Sequence, residues 1–251
     1  MEHEIWLTSL FNTYLAGFAN AILAIFGVTA SHPDRPWENW IVVELLVVVL
    51  LMLAVAAMRA GLSVDKPGTL QHLFESIHGF IRDMVDQVGI HHGEKYVPYI
   101  GTVFIFILSL NLIGMIPAFE SPTMVPWVPA GLAIVTFLYF NLMGFAANGL
   151  GYLKQFTGPV RFGNWVADIA IILFMIPIET ISMFIRPLSL TVRLYGNMFA
   201  GEQVTGVFLS LTKLIIPVIF MGLHVFVAFV QAYVFTLLTT IYISQAVAHD
   251  H

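Results

Sequence analysis

The sequence has no cysteine among its 251 residues, which rules out disulfides, thiolate nucleophiles and cysteine metal sites. Charge is scarce as well. Asp, Glu, Lys and Arg make up only 10% of the chain, against about 25% in a soluble domain. The net charge of −5 is too mild for a nucleic-acid footprint or a strong surface field. No GxxxxGK[ST] loop and no HExxH pair occurs, so no recognised motif would hold nucleotide phosphates or a catalytic zinc. The first residues, MEHEIW, are acidic, where a secretory leader begins basic.

What is abundant is apolar. Hydrophobic residues make up 59% of the chain, more than a soluble core of this size holds, so lipid is the expected solvent. The stretch Leu7 to Gly27 is interrupted by Asn12, Thr13 and Asn20 and reads as a helix near the surface, with a first span as the weaker option. The first clear span covers Asn39 to Met58, rich in Val and Leu with one carboxylate, Glu44. A span needs about 20 apolar residues. Arg59 follows, then the turn Asp65-Lys66-Pro67-Gly68.

Residues 69–88 follow another pattern. Leu70, Leu73, Phe74, Ile77, Phe80, Ile81, Met84, Val85 and Val88 recur at steps of three and four. Gln71, His72, Glu75, His78, Arg82, Asp83 and Asp86 lie between them. That is an amphipathic helix, at the interface or packed on other helices. Gly101 to Ile116, closed by Pro117, reads as the second span, and Ala130 to Leu150 as the third. Trp165 to Leu211 and Leu214 to Ala246 are almost continuously apolar.

The expected fold is an all-α membrane protein. It has five transmembrane helices, at about 39–59, 100–117, 130–150, 165–211 and 214–246, plus one interfacial amphipathic helix at about 69–88. Residues 1–38 form an N-terminal surface segment on the periplasmic side, and 39–251 a single membrane domain. Arg59, Lys66, Arg82, Lys95, Lys154 and Arg161 fall in the loops after spans one and three. Those loops are therefore cytoplasmic, the N-terminus outside and the C-terminus inside, with Lys213 as the exception.

The last two segments are too long for upright spans. About 45 helical residues reach roughly 67 Å, against a hydrocarbon core of roughly 30 Å. Either 165–211 is a hairpin of two short spans or one long helix. No polar turn divides it, so one inclined helix, bent at Pro177 and Pro187, is favoured.

Segment 165–211 also carries Asp168, Glu179, Arg186, Arg193, Asn197, Glu202 and Gln203. An arginine at a helix centre costs about 2.5–3.5 kcal/mol to insert, and marks function by default. The bland alternative is a carboxylate-paired arginine that holds helices together. Glu179 and Arg186, seven apart on one face, fit that description. On the next helix His224, Gln231 and Tyr242 share one stripe, which also suits a polar helix–helix contact. With the two helices antiparallel and Arg193 level with Gln231, Glu202 and His224 come to similar depth. A carboxylate and an imidazole there can pass a proton. Nine residues, however, turn Glu202 away from the face of Arg193. Glu179 lies fourteen residues to the other side. Two aqueous half-paths separated by a fixed positive charge fit this order.

The run RPLSLTVRLYGNMFAGE, from Arg186 to Glu202, closely resembles the signature of subunit a of F-type ATP synthases. VQAYVFTLLTTIYIS, from Val230 to Ser244, resembles that family's final helix. PGTLQHLFESIHGFIRDMV resembles its amphipathic helix, and LNLIGMIP the helix after it. The resemblance covers about 38–247. It implies a stator proton-channel subunit of the F0 sector, without a catalytic site of its own, in the bacterial inner membrane. The implied partners are a rotating c-ring, met around Arg193 and Gln231, a subunit b stator and the bilayer, with no nucleic acid. Arg193 would be the essential arginine that keeps each passing ring carboxylate ionised and blocks leakage. Glu202, His224, Asn197, Gln231, Glu44 and Asn111 would serve the outer half-channel, and Glu179 and Ser189 the cytoplasmic one. No cofactor or metal is implied. Some relatives carry Asp where Gly114 stands here, so Asn111, Glu120 or Glu44 would serve the outer entry instead.

Two other classes compete. A secondary transporter commonly shows inverted repeats and a midplane site, but the two halves here show no repeat. A membrane enzyme or scaffold could use His72, His78, His91 and His92, which read instead as a solvated polar face.

Overall fold

In the computed structural model all regular structure among the described residues is helical. Those residues are 4–25, 27, 32–63, 67–90, 92–116, 119–149, 151–152, 165–211 and 215–248. The basic positions Lys66, Lys154, Arg161 and Lys213, the turn residue Asp65, Pro117 and His91 lie outside them, as does the side chain of Asp168. Seven helices are described: α1 Trp6–Ile25, α2 Asn39–Ala60, α3 Thr69–Val88, α4 Val97–Ile113, α5 Trp127–Asn148, α6 Trp165–Leu211 and α7 Ile215–Val247.

The Val-rich α2 is helical despite its β-branched side chains, because in lipid every backbone group must find its partner within the segment. α4 and α5 each begin about three residues earlier than the apolar runs suggest. Pro98 and Pro129 fall in their first turns, where the missing N–H costs nothing. α4 stops at Ile113, short of the expected Ile116, because Gly114 opens a turn. α5 ends at Gly149, which has a φ of 55°, open to glycine. α6 is one unbroken helix of 47 residues with Pro177 and Pro187 inside it, so the hairpin alternative is excluded.

Five helices are long and apolar enough to cross a membrane: α1, α2, α5, and the stretches Ile171–Phe208 of α6 and Val218–Val247 of α7. α1 joins this set although its sequence reads as a surface helix. α4, counted as a span in the sequence, has only 17 residues, the short end of the spanning range.

The chain forms two compact units, and α6 and α7 each contribute to both. The first comprises 1–73, 105–125 and 198–229. Here Asn12 holds the backbone of Trp37 at both ends, accepting from its N–H at 3.0 Å and donating to its C=O at 3.1 Å. Asn20 donates to Pro33 O at 2.8 Å. These bonds fasten α1 to the segment that leads into α2.

The second unit comprises 74–104, 126–197 and 230–251. Its part of α3 buries Ile81, Met84 and Val85. Phe80 packs against Phe104 and Tyr233, with ring centroids 5.7 and 5.8 Å apart. Thr240 Oγ1 donates to Met84 Sδ at 3.8 Å. Ile81, Met84 and Val85 are thus buried where α3 meets α4 and α7, while Leu70, Leu73 and Phe80 of the stripe stay exposed, and His78, Arg82 and Asp86 face outward. Gly144 lets α5 and α7 meet, since a Cβ there would lie 3.1 Å from Ala246 O. Asn148 then donates to Ala246 O at 3.2 Å and caps the end of α7. Hydroxyls inside the long helices bond to their own backbone four residues earlier, as Thr191 does to Pro187 O and Thr236 to Ala232 O.

Candidate functional site

In the second unit Arg193 stands on α6 with its side chain exposed. Among the described residues it has no ion pair, hydrogen bond or aromatic partner. Among the described residues nothing supports the helix-glue reading of this arginine. Its neighbours on the same helical face are small: Ser189, half-buried, then Gly196 and the exposed Ala200. A Cβ at Gly196 would meet nothing within 4 Å.

The residue that reaches Gln231 is Asn197, which donates to Gln231 Oε1 at 2.7 Å. The register differs by one turn from a level pairing of Arg193 with Gln231. The reason is physical: a short amide can bond an amide across a close helix contact, whereas a long guanidinium would have to fold back. Gln231 is buried, and its Nε2 donor has no partner among the described residues.

The other arginine behaves as the spacing predicts. Arg186 Nη2 lies 3.8 Å from Glu179 Oε1, and its guanidinium sits 5.1 Å above the Tyr242 ring. Tyr242 of the polar stripe thus serves Arg186. Sequence reasoning missed Tyr152 in this cluster. It is buried, its phenol donates to Asn141 Oδ1 at 2.9 Å, and its ring fills the space left by Gly144. Burial pushes the phenol above its ordinary range, while the charge of Arg186 pulls it down and that of Glu179 pushes it up. Tyr152 therefore stays neutral and keeps its donated bond.

In the first unit His224 of α7 packs against Gly201 of α6. A Cβ on Gly201 would lie 3.0 Å from Nδ1 and 3.2 Å from Cε1 of the imidazole. Glu202, the next residue, is half-buried and forms no ion pair with His224. The glycine, not the carboxylate, faces the ring, so the turning of Glu202 away from its partners' face is accommodated rather than corrected. Gly201 was legible only as a small residue in the motif.

Asn111 of α4 is fully buried. It donates to Ala228 O on α7 at 3.4 Å and accepts from Thr123 Oγ1 at 2.8 Å. Glu44 is half-buried on α2 and has no hydrogen-bond or ion-pair partner among the described residues. No group of three or more metal-binding side chains exists among the described residues.

The family model described as ATP synthase A chain matches residues 40–244. The chain belongs to the ATP synthase A chain family. It is 51% identical over 243 residues to ATP synthase subunit a of Solibacter usitatus (strain Ellin6076), covering 96% of this chain and all of that one. It is 45% identical over 252 residues to ATP synthase subunit a of Koribacter versatilis (strain Ellin345), covering both in full. ATP synthase subunit a 3 of Pelobacter propionicus is 38% identical over 93% of this chain. As an ATP synthase A chain it is a multi-pass membrane subunit of the F0 sector of the proton-translocating complex, not a catalytic subunit.

Proposed function

We propose that this chain is the stator proton channel of F0, with two offset half-channels that serve the carboxylates of a rotating c-ring. The observation that carries the reading is the exposed guanidinium of Arg193 on an apolar helix, without a partner among the described residues. A cation costing about 2.5–3.5 kcal/mol in lipid persists when something outside the chain compensates it. A ring carboxylate is such a counter-charge. The small residues Ser189, Gly196 and Ala200 beside it allow close approach by another helix. Arg193 keeps the passing carboxylate ionised and, as a fixed positive charge, bars protons from running straight through.

The remaining roles follow the two units. Glu44, Asn111, Glu202 and His224 fall in the first, and Glu179, Ser189, Arg193, Asn197 and Gln231 in the second. The first set serves the outer half-channel, to which Asn197 and Gln231 are also assigned. Glu179 and Ser189 serve the cytoplasmic one. Glu202 and His224 exchange the proton on the outer side, where Gly201 leaves the imidazole its place. The chain sits in the bacterial inner membrane with its N-terminus periplasmic and its C-terminus cytoplasmic, as the basic loops indicate. It contacts the c-ring around Arg193 and Gln231, and subunit b.

The test is Arg193→Ala in membranes that carry the whole complex. ATP-driven proton pumping is expected to vanish while the subunit still assembles. Retained pumping would sink the proposal, and so would failure of the wild-type chain to co-purify with a c-ring.

A further inference from the structure

Three groups compete for the outer entry: Asn111, Glu44 and Glu120. All lie in the first unit. Asn111 is enclosed and both ends of its amide are bonded, and an amide does not titrate. Among the described residues Glu44 has no hydrogen bond or ion pair that leads toward Glu202 or His224. Glu120 is exposed, in the loop between α4 and α5.

That loop is held in place. A Cβ on Gly114 would lie 2.7 Å from Ser121 Cβ and 2.9 Å from its backbone nitrogen, so the glycine is what lets the loop fold onto the end of α4. Ser121 Oγ donates to Leu110 O at 2.9 Å, and Thr123 bonds Asn111. Asn111 bonds Ala228, one turn along α7 from His224, and His224 rests on Gly201 beside Glu202. A short series of contacts therefore runs from the residue next to Glu120 to the Glu202–His224 pair.

We propose that Glu120 is the proton-collecting carboxylate at the water-facing mouth of the path to Glu202. The inference rests on the channel reading above and assigns its entrance. An exposed carboxylate takes a proton from hydronium or buffer and releases it through water to the Glu202 carboxylate. Glu120 thereby returns to its ionised form, and one proton moves with no other bond changed. Its negative charge also raises the local proton concentration, an effect lost when the charge is removed. The other titratable groups on the elements around it are Glu44 on α2, Glu202 on α6 and His224 on α7. The basic Arg35, ahead of α2, is engaged by Glu4 at 3.7 Å.

The test uses the whole complex reconstituted in liposomes, with ATP synthesis driven by a proton gradient and rates expressed per assembled complex. Glu120→Gln is expected to slow synthesis roughly three- to tenfold when the outer-path compartment is alkaline and weakly buffered. The rate should recover at acid pH, in concentrated mobile buffer, and in Glu120→Asp. Wild-type rates for Glu120→Gln throughout would overturn the assignment. So would a loss that is the same at every pH and buffer concentration, since that marks a structural role. Glu202→Gln separates the two proposals: it should be slow under all conditions. If Glu202→Gln runs at the wild-type rate, the channel reading itself fails.

Discussion

Asn197 donates its side-chain N–H to Gln231 Oε1 at 2.7 Å, one helical turn past Arg193 on α6. The bond joins the two long helices beside the guanidinium without involving it, so Arg193 remains available to a partner outside the chain. Gln231 is buried, where an unmet polar group is expensive, about 1–3 kcal/mol. Asn197→Leu should therefore lower the melting temperature of the complex, because Gln231 then loses the bond to its Oε1. The double variant Asn197→Leu/Gln231→Leu should regain most of that stability while pumping stays low. A double-mutant cycle on melting and pumping checks this. Recovery of both together would mean that the pair is purely structural.

Gly201→Ala should displace the imidazole of His224, because the added methyl would sit 3.0 Å from Nδ1. Proton pumping is expected to fall several-fold with the subunit still in the complex. Gly206→Ala, with nothing within 4 Å of its new methyl, is the control and should pump normally. Vesicle acidification monitored by a fluorescent amine distinguishes the two.

Gly114→Ala should push the α4–α5 loop away, since Ser121 backbone and side chain both lie under 3.0 Å from the new Cβ. The bonds from Ser121 and Thr123 would weaken with it. Reduced incorporation into the complex is expected, by immunoblot of membranes. Gly131→Ala, in open space on α5, should incorporate at wild-type level.

At Gly196→Leu the new Cβ meets nothing within 4 Å among the described residues, so the fold should survive. If the face around Arg193 meets the ring, the larger side chain should still block it. The subunit is expected in the membrane in normal amount but with weakened c-ring co-purification. Unaltered co-purification and pumping would move the ring contact elsewhere.

Arg186→Gln should cost less than Arg193→Ala. Arg186 already has Glu179 and the Tyr242 ring as partners, and glutamine leaves a neutral hydrogen-bonding group in their place. Partial loss of pumping is expected, against complete loss for Arg193→Ala, in the same acidification assay.

Much of this was legible in the residues because lipid simplifies the problem. Long apolar runs have to be helical, so α2, α5, α6 and α7 were placed within a few residues, and the seven-residue step of Glu179 to Arg186 foretold their ion pair. Contacts between helices were harder. Their register depends on which side chains meet, and the amide of Asn197, four residues from the arginine, decided it. The significance of Gly201, Gly144 and Gly114 was hidden for a related reason: a glycine shows its role only through the neighbour that occupies its missing side chain. Tyr152 follows α5 in a short turn, with no periodic pattern to mark it, and only its contact with Asn141 reveals it.

The solitary guanidinium of Arg193 also bears on how such a subunit is made. If the proposed ring contact is what compensates it, a newly inserted copy carries, before any ring arrives, a cation with no counter-charge among the described residues, a penalty of about 2.5–3.5 kcal/mol. That is comparable to a large share of a small protein's net stability. An orphan copy is thus marked, by one side chain, as unfinished. Its lifetime in the membrane should lengthen when a ring is made alongside it and shorten when ring synthesis is withheld, so the charge proposed to work in the finished machine would also time its construction.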